Sequence, residues 1–358
     1  MSMVYKVVYI EDQDAESVIH DLSQCDLEVV HCHPGTFKET ITKVDSHKPD
    51  LILMDFRLMQ GGGEVNAPAI AQYYRSLSID NPSLCLPVVL LSNDTKIHGF
   101  YDDFTSHDLF DFFIIKENLS ENKEKYSLLM KEHIESYKFI STLQAREEDL
   151  TELLKVPKKL ELDIDPRIKE TLRNKKYKSN IYMASKFIFN NVVKSIGVLI
   201  GEDVLSARLG IDKSSESWDE LCSQLKECEY TGIYSGSYRR WWADGIEVWW
   251  NETIEESNHL RRFNSEEKLT VICSKLPGLK LKKVEGDLNT KTDNFWTICQ
   301  CSLLPVDPSE AFEIQADLTL MPWLDTQYYS YESVRDYDLN DQLTDIEKSR
   351  YKDIARGI

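Results

Sequence analysis

The sequence has no surplus of basic charge. Its 42 lysines and arginines face 61 aspartates and glutamates, a formal charge of −19, which argues against a nucleic-acid partner, because a phosphate backbone demands a basic face. The local exception, residues 167–178, carries six basic residues against one glutamate and reads as a solvated helix face ahead of an anion site. Paired CxxC spacing is absent among the eight cysteines. Cys299 and Cys301 would share one strand face, too few ligands for zinc without partners from elsewhere, so reduced structural thiols are expected. No signal peptide opens the chain. The most apolar long stretch, 181–200, is interrupted by Lys186, Asn190, Asn191 and Lys194, so no membrane span is predicted and a soluble cytoplasmic protein is expected. Internal repeats, low-complexity runs, a nucleotide loop, GxSxG, HExxH and a helix-turn-helix with a basic recognition helix are all missing.

What is present, over the first hundred-odd of 358 residues, is alternation. KVVYI (6–10), LEVVHC (27–32), DLILMD (50–55), LPVVLLS (86–92) and DFFIIK (111–116) read as strands. DAESVIHDLSQ (14–24), TFKETITKVDSH (36–47), APAIAQYYRSL (67–77) and IHGFYDDFTSHDLF (97–110) read as helices. Continuously apolar strands separated by helical patterns predict a parallel sheet covered on both faces, an α/β fold with its ligand site outside the carboxyl ends of the strands. From Glu117 the pattern turns helical to about Leu154, either as one extended helix or as two with a break, until Pro157 ends it.

Polar residues gather at those strand ends. Strand one exits into Glu11 and Asp12, strand three into Asp55, strand four into Ser92 and strand five into Lys116. Three converging carboxylates repel one another unless a cation sits among them, and oxygen-only donors with open positions favour Mg2+ over zinc. A lysine and a hydroxyl on the same rim suit the oxygens of a phosphoryl group, which makes Asp55 a nucleophile toward phosphorus.

In order and separation, YIEDQ, PDLILMDFRL, VVLLSND and FFIIKEN resemble the receiver domain of bacterial response regulators over residues 4 to about 125. The resemblance implies a flavodoxin-like, doubly wound five-stranded parallel sheet. It implies Glu11 and Asp12 as the acidic pair holding Mg2+, Asp55 as phosphoacceptor and metal ligand, and a metal contact from the Arg57 backbone carbonyl. Ser92 would be the switch hydroxyl, Lys116 the phosphate-binding lysine, and Phe113 the aromatic whose rotamer reports the state. Three features depart from the family. Glu117 stands where a proline usually follows the lysine. The loop after Asp55 is long, and Gly61, Gly62 and Gly63 make it permissive. Asn93 is bulkier than the family's usual residue and is expected to narrow access to the phosphate.

The expected organisation is a receiver at 1–120, a helical connector or dimer stalk at 121–158, and a mostly helical α+β output domain at 159–358. In the last, LTVICS (269–274), FWTICQCSLL (295–304) and FEIQADLTL (312–320) read as strands, and residues 338–357 as an amphipathic helix. Trp242, Ile246 and Trp249 at helical spacing, flanked by Trp241 and Trp250, read as core or partner interface ahead of an aromatic ligand cage. His133 and His259 read as ordinary histidines rather than phosphotransfer groups, and His31 and His33 are assigned no chemistry. The expected function is a phosphorelay signalling protein. A histidine kinase or histidine phosphotransfer protein supplies the phosphoryl group, and a non-DNA-binding domain engages a protein partner or a second copy. The architecture is reminiscent of bacterial multi-protein signalling or antiviral defence systems. Two rivals are a phosphate sink and a receiver-regulated enzyme, the latter favoured by a pocket of charged residues beside Trp241–Trp250.

Overall fold

The computed structural model describes residues 4–93, 109–161, 164–254, 258–288, 290–314 and 321–356. Residues 97–108 of the expected fourth helix and 315–320 of the expected last strand lie outside them. The chain divides into two compact units. The first comprises residues 1–154, 166–189 and 232–237; the second comprises 155–165, 190–231 and 238–358.

The first unit is built on five parallel strands: β1 (Tyr5–Ile10), β2 (Leu27–Cys32), β3 (Leu51–Asp55), β4 (Val88–Ser92) and β5 (Phe112–Ile115), in the order β2-β1-β3-β4-β5. Leu51 to Met54 are fully buried in the central strand, as a strand covered on both faces requires. Alternation along the strands sends Val8, Ile10, Ile52, Met54, Val88 and Leu90 into one core with Ile41, Val44, Ile70 and Tyr74. Those last four come from α2 (Phe37–Ser46) and α3 (Ala67–Asp80), which follow α1 (Glu16–Ser23) in the chain. α2 starts where it does because Thr36 and Glu39 form a reciprocal capping box.

The helical stretch after β5 is broken. α4 (Lys123–Ala145) buries Met130, Ile134, Tyr137 and Ile140 on one face, then Glu147 takes a left-handed φ of 56° and a short 3-10 turn follows at Leu150–Leu154. α4 belongs to the first unit, as do α5 (Pro166–Arg173), α6 (Lys175–Lys178) and α7 (Ile181–Ile188). His133 lies inside this unit. Its Nδ1 donates to the Leu129 carbonyl at 2.9 Å and its ring packs among Phe112, Phe189 and Tyr234, so it is a core histidine.

The second unit is predominantly helical, with three two-stranded ladders. β6 (Leu199–Ile200) pairs antiparallel with β7 (Trp241–Trp242), ahead of α8 (Glu202–Leu209) and α10 (Ala243–Trp249) respectively; α9 (Trp218–Gln224) lies between them in sequence. Trp218, Trp241, Ile246, Trp249 and Trp250 are all buried in one apolar cluster, the core reading of the tryptophan stripe. LTVICS is not a strand. It lies in α11 (Ser265–Lys275), where Asn264 and Glu267 form a capping box and Lys268 and Ile272, one turn apart, face inward. The caps outweigh the β-branched composition of Thr270, Val271 and Ile272. FWTICQCSLL is likewise divided. β8 (Thr297–Ile298) ends in a turn in which the Leu303 N–H donates to the Cys299 carbonyl, and the chain returns antiparallel as β9 (Pro305–Val306). β10 (Phe312–Glu313) pairs with β11 (Tyr328–Tyr329). α12 (Tyr331–Asp336) and α13 (Asp345–Ala355) complete the described chain.

Lys268 is almost fully buried, its Nζ donating to the Phe295 carbonyl at 3.2 Å. Burial pushes its pKa down to about 8, against the opposing pull of Asp293 and Glu247. Because the unfolded lysine binds its proton up to about pH 10.4, stability is expected to rise between pH 8 and that value, by roughly 3 kcal/mol. Urea melts across this range should show the rise in the native chain and a flatter profile in Lys268→Met, which should also be the more stable of the two at pH 7.

Candidate functional site

Four adjacent strands bring the sequence-predicted residues to one edge of the sheet. β1 ends before Glu11 and Asp12, β3 at Asp55, β4 at Ser92, and β5 one residue before Lys116. Glu11, Asp55, Arg57, Ser92 and Lys116, with Gln13, Gln60 and Asn93, line a polar pocket of 280 Å3. Asp12 lies against the same loop as a buried acid. Phe113 sits on β5 opposite Leu90, packed partly buried against the sheet's core.

Glu11 is the most heavily engaged of the acids. Lys116 Nζ donates to its Oε2 at 2.6 Å, the Tyr9 hydroxyl donates to the same oxygen at 2.5 Å, and the Gln13 N–H donates to Oε1 at 3.1 Å. Burial acts to raise the Glu11 pKa, but the bonds from Lys116, Tyr9 and Gln13 outweigh it and hold the carboxyl below its ordinary value. His31 completes the brace, its Nε2–H donating to the Glu11 carbonyl at 2.9 Å. Sequence reasoning missed Tyr9 and His31. The signal for Tyr9 was available, since residues two apart on a strand share a face; His31 reaches Glu11 only through the pairing of β2 with β1.

Asp55 behaves differently. Burial first, then repulsion from Glu11 and Asp12, raise its pKa to about 6, against the Arg57 N–H, which donates to Oδ2 at 2.9 Å, and the charge of Lys116. The edge thus gathers three carboxylates against Lys116 and Arg57, and a further cation relieves the repulsion that remains.

The glycines after Asp55 do more than loosen a loop. The Gly61 N–H donates to Asp12 Oδ2 at 2.6 Å, and a Cβ on Gly61 would stand 2.1 Å from the Asp12 carbonyl oxygen. Gly62 has a φ of +107°, which L side chains rarely adopt. The loop is therefore fitted against Asp12. Asn93 has a second role besides lining the pocket: its Oδ1 accepts the Glu117 N–H at 3.0 Å, tying the loop after β4 to the turn after β5. A proline at 117 would have no N–H to give to Asn93.

Asp12 Oδ1 is buried with no hydrogen-bond partner, and an orphaned acidic oxygen beside a second buried carboxylate is what a hard cation satisfies. Among the described residues no three His, Cys, Asp or Glu side chains already converge as a metal cluster, which is consistent with Lys116 and Tyr9 holding Glu11. The chemistry fits with Asp12 and Asp55 as the ligands nearest to hand.

No protein-family model and no curated protein matches the chain. Among solved structures it is similar over 42% of its length to NtrX from Brucella abortus, at 17% identity and a TM-score of 0.32, spanning 30% of that chain. It is similar over 34% to the response regulator TrrA from Thermotoga maritima in complex with Mg2+–BeF, at 20% identity and a TM-score of 0.28, spanning 96% of that chain. A CheY-like response regulator receiver domain from Methylobacillus flagellatus is similar at 16% identity, a TM-score of 0.26, 34% of this chain and 98% of its own. Among the described residues no helix is long and apolar enough to cross a membrane.

Proposed function

We propose that the first unit is a phosphoryl-accepting receiver and that the chain is a phosphorelay signalling protein. One observation carries this reading: Asp55 ends the central strand in a pocket shared with Lys116, Ser92 and the braced Glu11, beside the buried Asp12. An Asp55 carboxylate oxygen attacks the phosphorus of a phosphohistidine on a partner kinase or phosphotransfer protein. The P–O bond forms, the P–N bond breaks, and its electron pair returns to the imidazole, which takes up a proton. Lys116 is held 2.6 Å from Glu11 and exchanges that partner for a phosphoryl oxygen, while the Ser92 hydroxyl turns to a second. Asp12, Asp55, Glu11 and the Arg57 carbonyl would hold Mg2+, which would supply charge neutralisation at the transferring group. Phosphorylation then biases a two-state switch through Ser92 and Phe113. The second unit reads that state as a non-DNA-binding interaction domain.

The nucleophile must be the carboxylate. With its pKa raised to about 6, Asp55 is more protonated below that pH and ionised above it, so phosphoryl acceptance at low Mg2+ is expected to climb as pH rises through 6. Saturating Mg2+ stabilises the anion and should move the midpoint lower. A rate of adduct formation from phosphoramidate that is flat between pH 5 and 7 at both Mg2+ levels would sink this assignment. The decay of the adduct, followed beside sedimentation velocity, decides between switch and sink. A long-lived adduct with a change in shape or assembly supports signalling. Rapid turnover with neither supports a phosphate sink.

A further inference from the structure

The second unit carries a pair of cysteines, Cys299 and Cys301, that the receiver chemistry does not use. Cys299 is fully buried with Val306 and Ala311. The half-buried Cys301 packs against the same small cluster. Both belong to the turn between β8 and β9, which the Leu303 N–H closes on the Cys299 carbonyl at 2.9 Å. One helical turn of this kind sets Cα atoms two residues apart at roughly 5.5 Å, inside the span that a disulfide bridges. The turn reaches the surface at once, since Ser302, Leu303 and Leu304 are exposed. Leu303 holds a φ of 59°, where a residue with a branched side chain is strained.

The surroundings of the Cys299 sulfur give its proton a way out. The Ser330 N–H donates to Sγ at 3.3 Å, and the Ser333 hydroxyl stands 3.0 Å from it. Ser333 Oγ lies 3.1 Å from Ser330 Oγ, and the Ser330 hydroxyl donates to Asp287 Oδ2 at 2.9 Å. A chain of groups thus runs from the buried sulfur through Ser333 and Ser330 to a half-buried carboxylate on the wall of a small pocket. Each hydroxyl passes on its own proton as it receives the next, which leaves Ser333 donating to a thiolate. Burial acts to raise the Cys299 pKa, but Ser302, Ser333 and the Ser330 N–H outweigh it and bring the thiol down to about 7. Cys301 is instead held above the ordinary thiol value by burial and by the neighbouring Cys299. The two sulfurs are therefore unequal, one poised to attack and the other to follow.

We propose that Cys299 is a site of oxidation by peroxides and that Cys301 resolves the product as a disulfide within the turn. Opening of the strained turn uncovers the Cys299 sulfur. Its thiolate attacks one peroxide oxygen: the S–O bond forms, the O–O bond breaks, and the electron pair leaves on the other oxygen. That oxygen takes a proton and departs as water or an alcohol, so the sulfur is oxidised to a sulfenic acid and the peroxide is reduced. The Cys301 sulfur then attacks the Cys299 sulfur. The S–S bond forms, the S–O bond breaks, and the released hydroxide takes the Cys301 proton to leave as water. The site is independent of Asp55.

The test treats the reduced full chain with hydrogen peroxide, alkylates the remaining thiols and digests with trypsin without reductant. The peptide 292–335 holds Cys299 and Cys301 and no other cysteine. The peptide 269–275 holds Cys273 alone, a half-buried reference thiol whose pKa burial raises. Peptide 292–335 is expected to appear unalkylated and lighter by two hydrogens, about tenfold sooner than Cys273 is oxidised. In Cys301→Ser, Cys299 should stop at the sulfenic acid and be captured as a single dimedone adduct on that peptide. Ser333→Ala should slow the oxidation severalfold with Cys273 unchanged, and Ser333→Thr, which returns the hydroxyl, should recover it. Cys301 is half-buried, so Cys301→Ser should keep the native fold and decides the matter if Ser333→Ala misfolds. Oxidation of 292–335 no faster than that of Cys273, no dimedone capture in Cys301→Ser, a rate unchanged in folded Ser333→Ala, or Cys299 joined to a cysteine outside the turn overturns the proposal.

Discussion

Arg75→Ala is expected to lower the unfolding free energy of the first unit by about 3–5 kcal/mol, as breaking a buried ion pair does. The Arg75 guanidinium is buried and all three of its nitrogens donate. Nη2 donates to Asp111 Oδ2 at 2.8 Å, Nε to the Leu109 carbonyl at 2.9 Å, and Nη1 to the Leu86 carbonyl at 3.0 Å. The Tyr182 ring lies 3.7 Å from the guanidinium carbon, close enough for a cation–π contribution. Asp111 in turn accepts the Val88 N–H at 2.8 Å and the Tyr137 hydroxyl at 2.5 Å. Alanine at 75 leaves that carboxylate buried with its cation removed, and this is where most of the cost arises. Replacing both partners, as Arg75→Met with Asp111→Leu, should recover part of the loss, because no uncompensated charge then remains. Chemical denaturation of the three chains measures it. The effect should also reach the pocket, since Val88 opens the strand that ends at Ser92 and Asp111 precedes the strand that leads to Lys116.

This network shows where the sequence was legible and where it was not. The five strands were readable because each is a short, continuously apolar run between helical patterns, a period and length that admit few alternatives. The site residues were readable for a related reason. In a parallel sheet a polar residue just past such a run falls at the carboxyl edge, so the sequence places Glu11, Asp12, Asp55, Ser92 and Lys116 together. Arg75 and Asp111 could not. Neither stands at a strand's exit, and their pairing joins α3 to the start of β5 across 36 residues. Gly61 read as slack in a loop, because sequence carries no trace of a backbone standing 2.1 Å from where its Cβ would be. In the second unit the strands were misjudged at 269–274 because composition was weighed above capping. Asn264 and Glu267, three residues apart, carried the helix signal.

Lys116→Ala is expected to slow phosphoryl acceptance by Asp55 by about a hundredfold, the scale set by removing a donor aimed at developing charge. Lys116 touches an acid of this pocket directly, at 2.6 Å from Glu11 Oε2. Its loss acts twice. The incoming phosphoryl oxygens lose their charged donor, and Glu11 and Asp55 lose the positive charge that lowers both their pKa values. The substitution should therefore shift the pH midpoint of acceptance upward as well as reduce its rate. A merely structural lysine would change neither the midpoint nor the rate in a folded variant. Lys116→Arg tests geometry against charge: the guanidinium keeps the charge but not the point-like ammonium, and it should restore the pH midpoint more fully than the rate.

Whether Asp55 takes a phosphoryl group is the central question, and intact mass spectrometry answers it most directly. Native chain and Asp55→Asn are incubated with Mg2+ and either acetyl phosphate or phosphoramidate, with a chelator-treated sample alongside. A single phosphoryl adduct on the native chain, absent from Asp55→Asn and lost with chelator, is the predicted result. An adduct of equal yield on Asp55→Asn, or none on the native chain with Mg2+ binding confirmed by calorimetry and a phosphorylated histidine donor also tried, would contradict it.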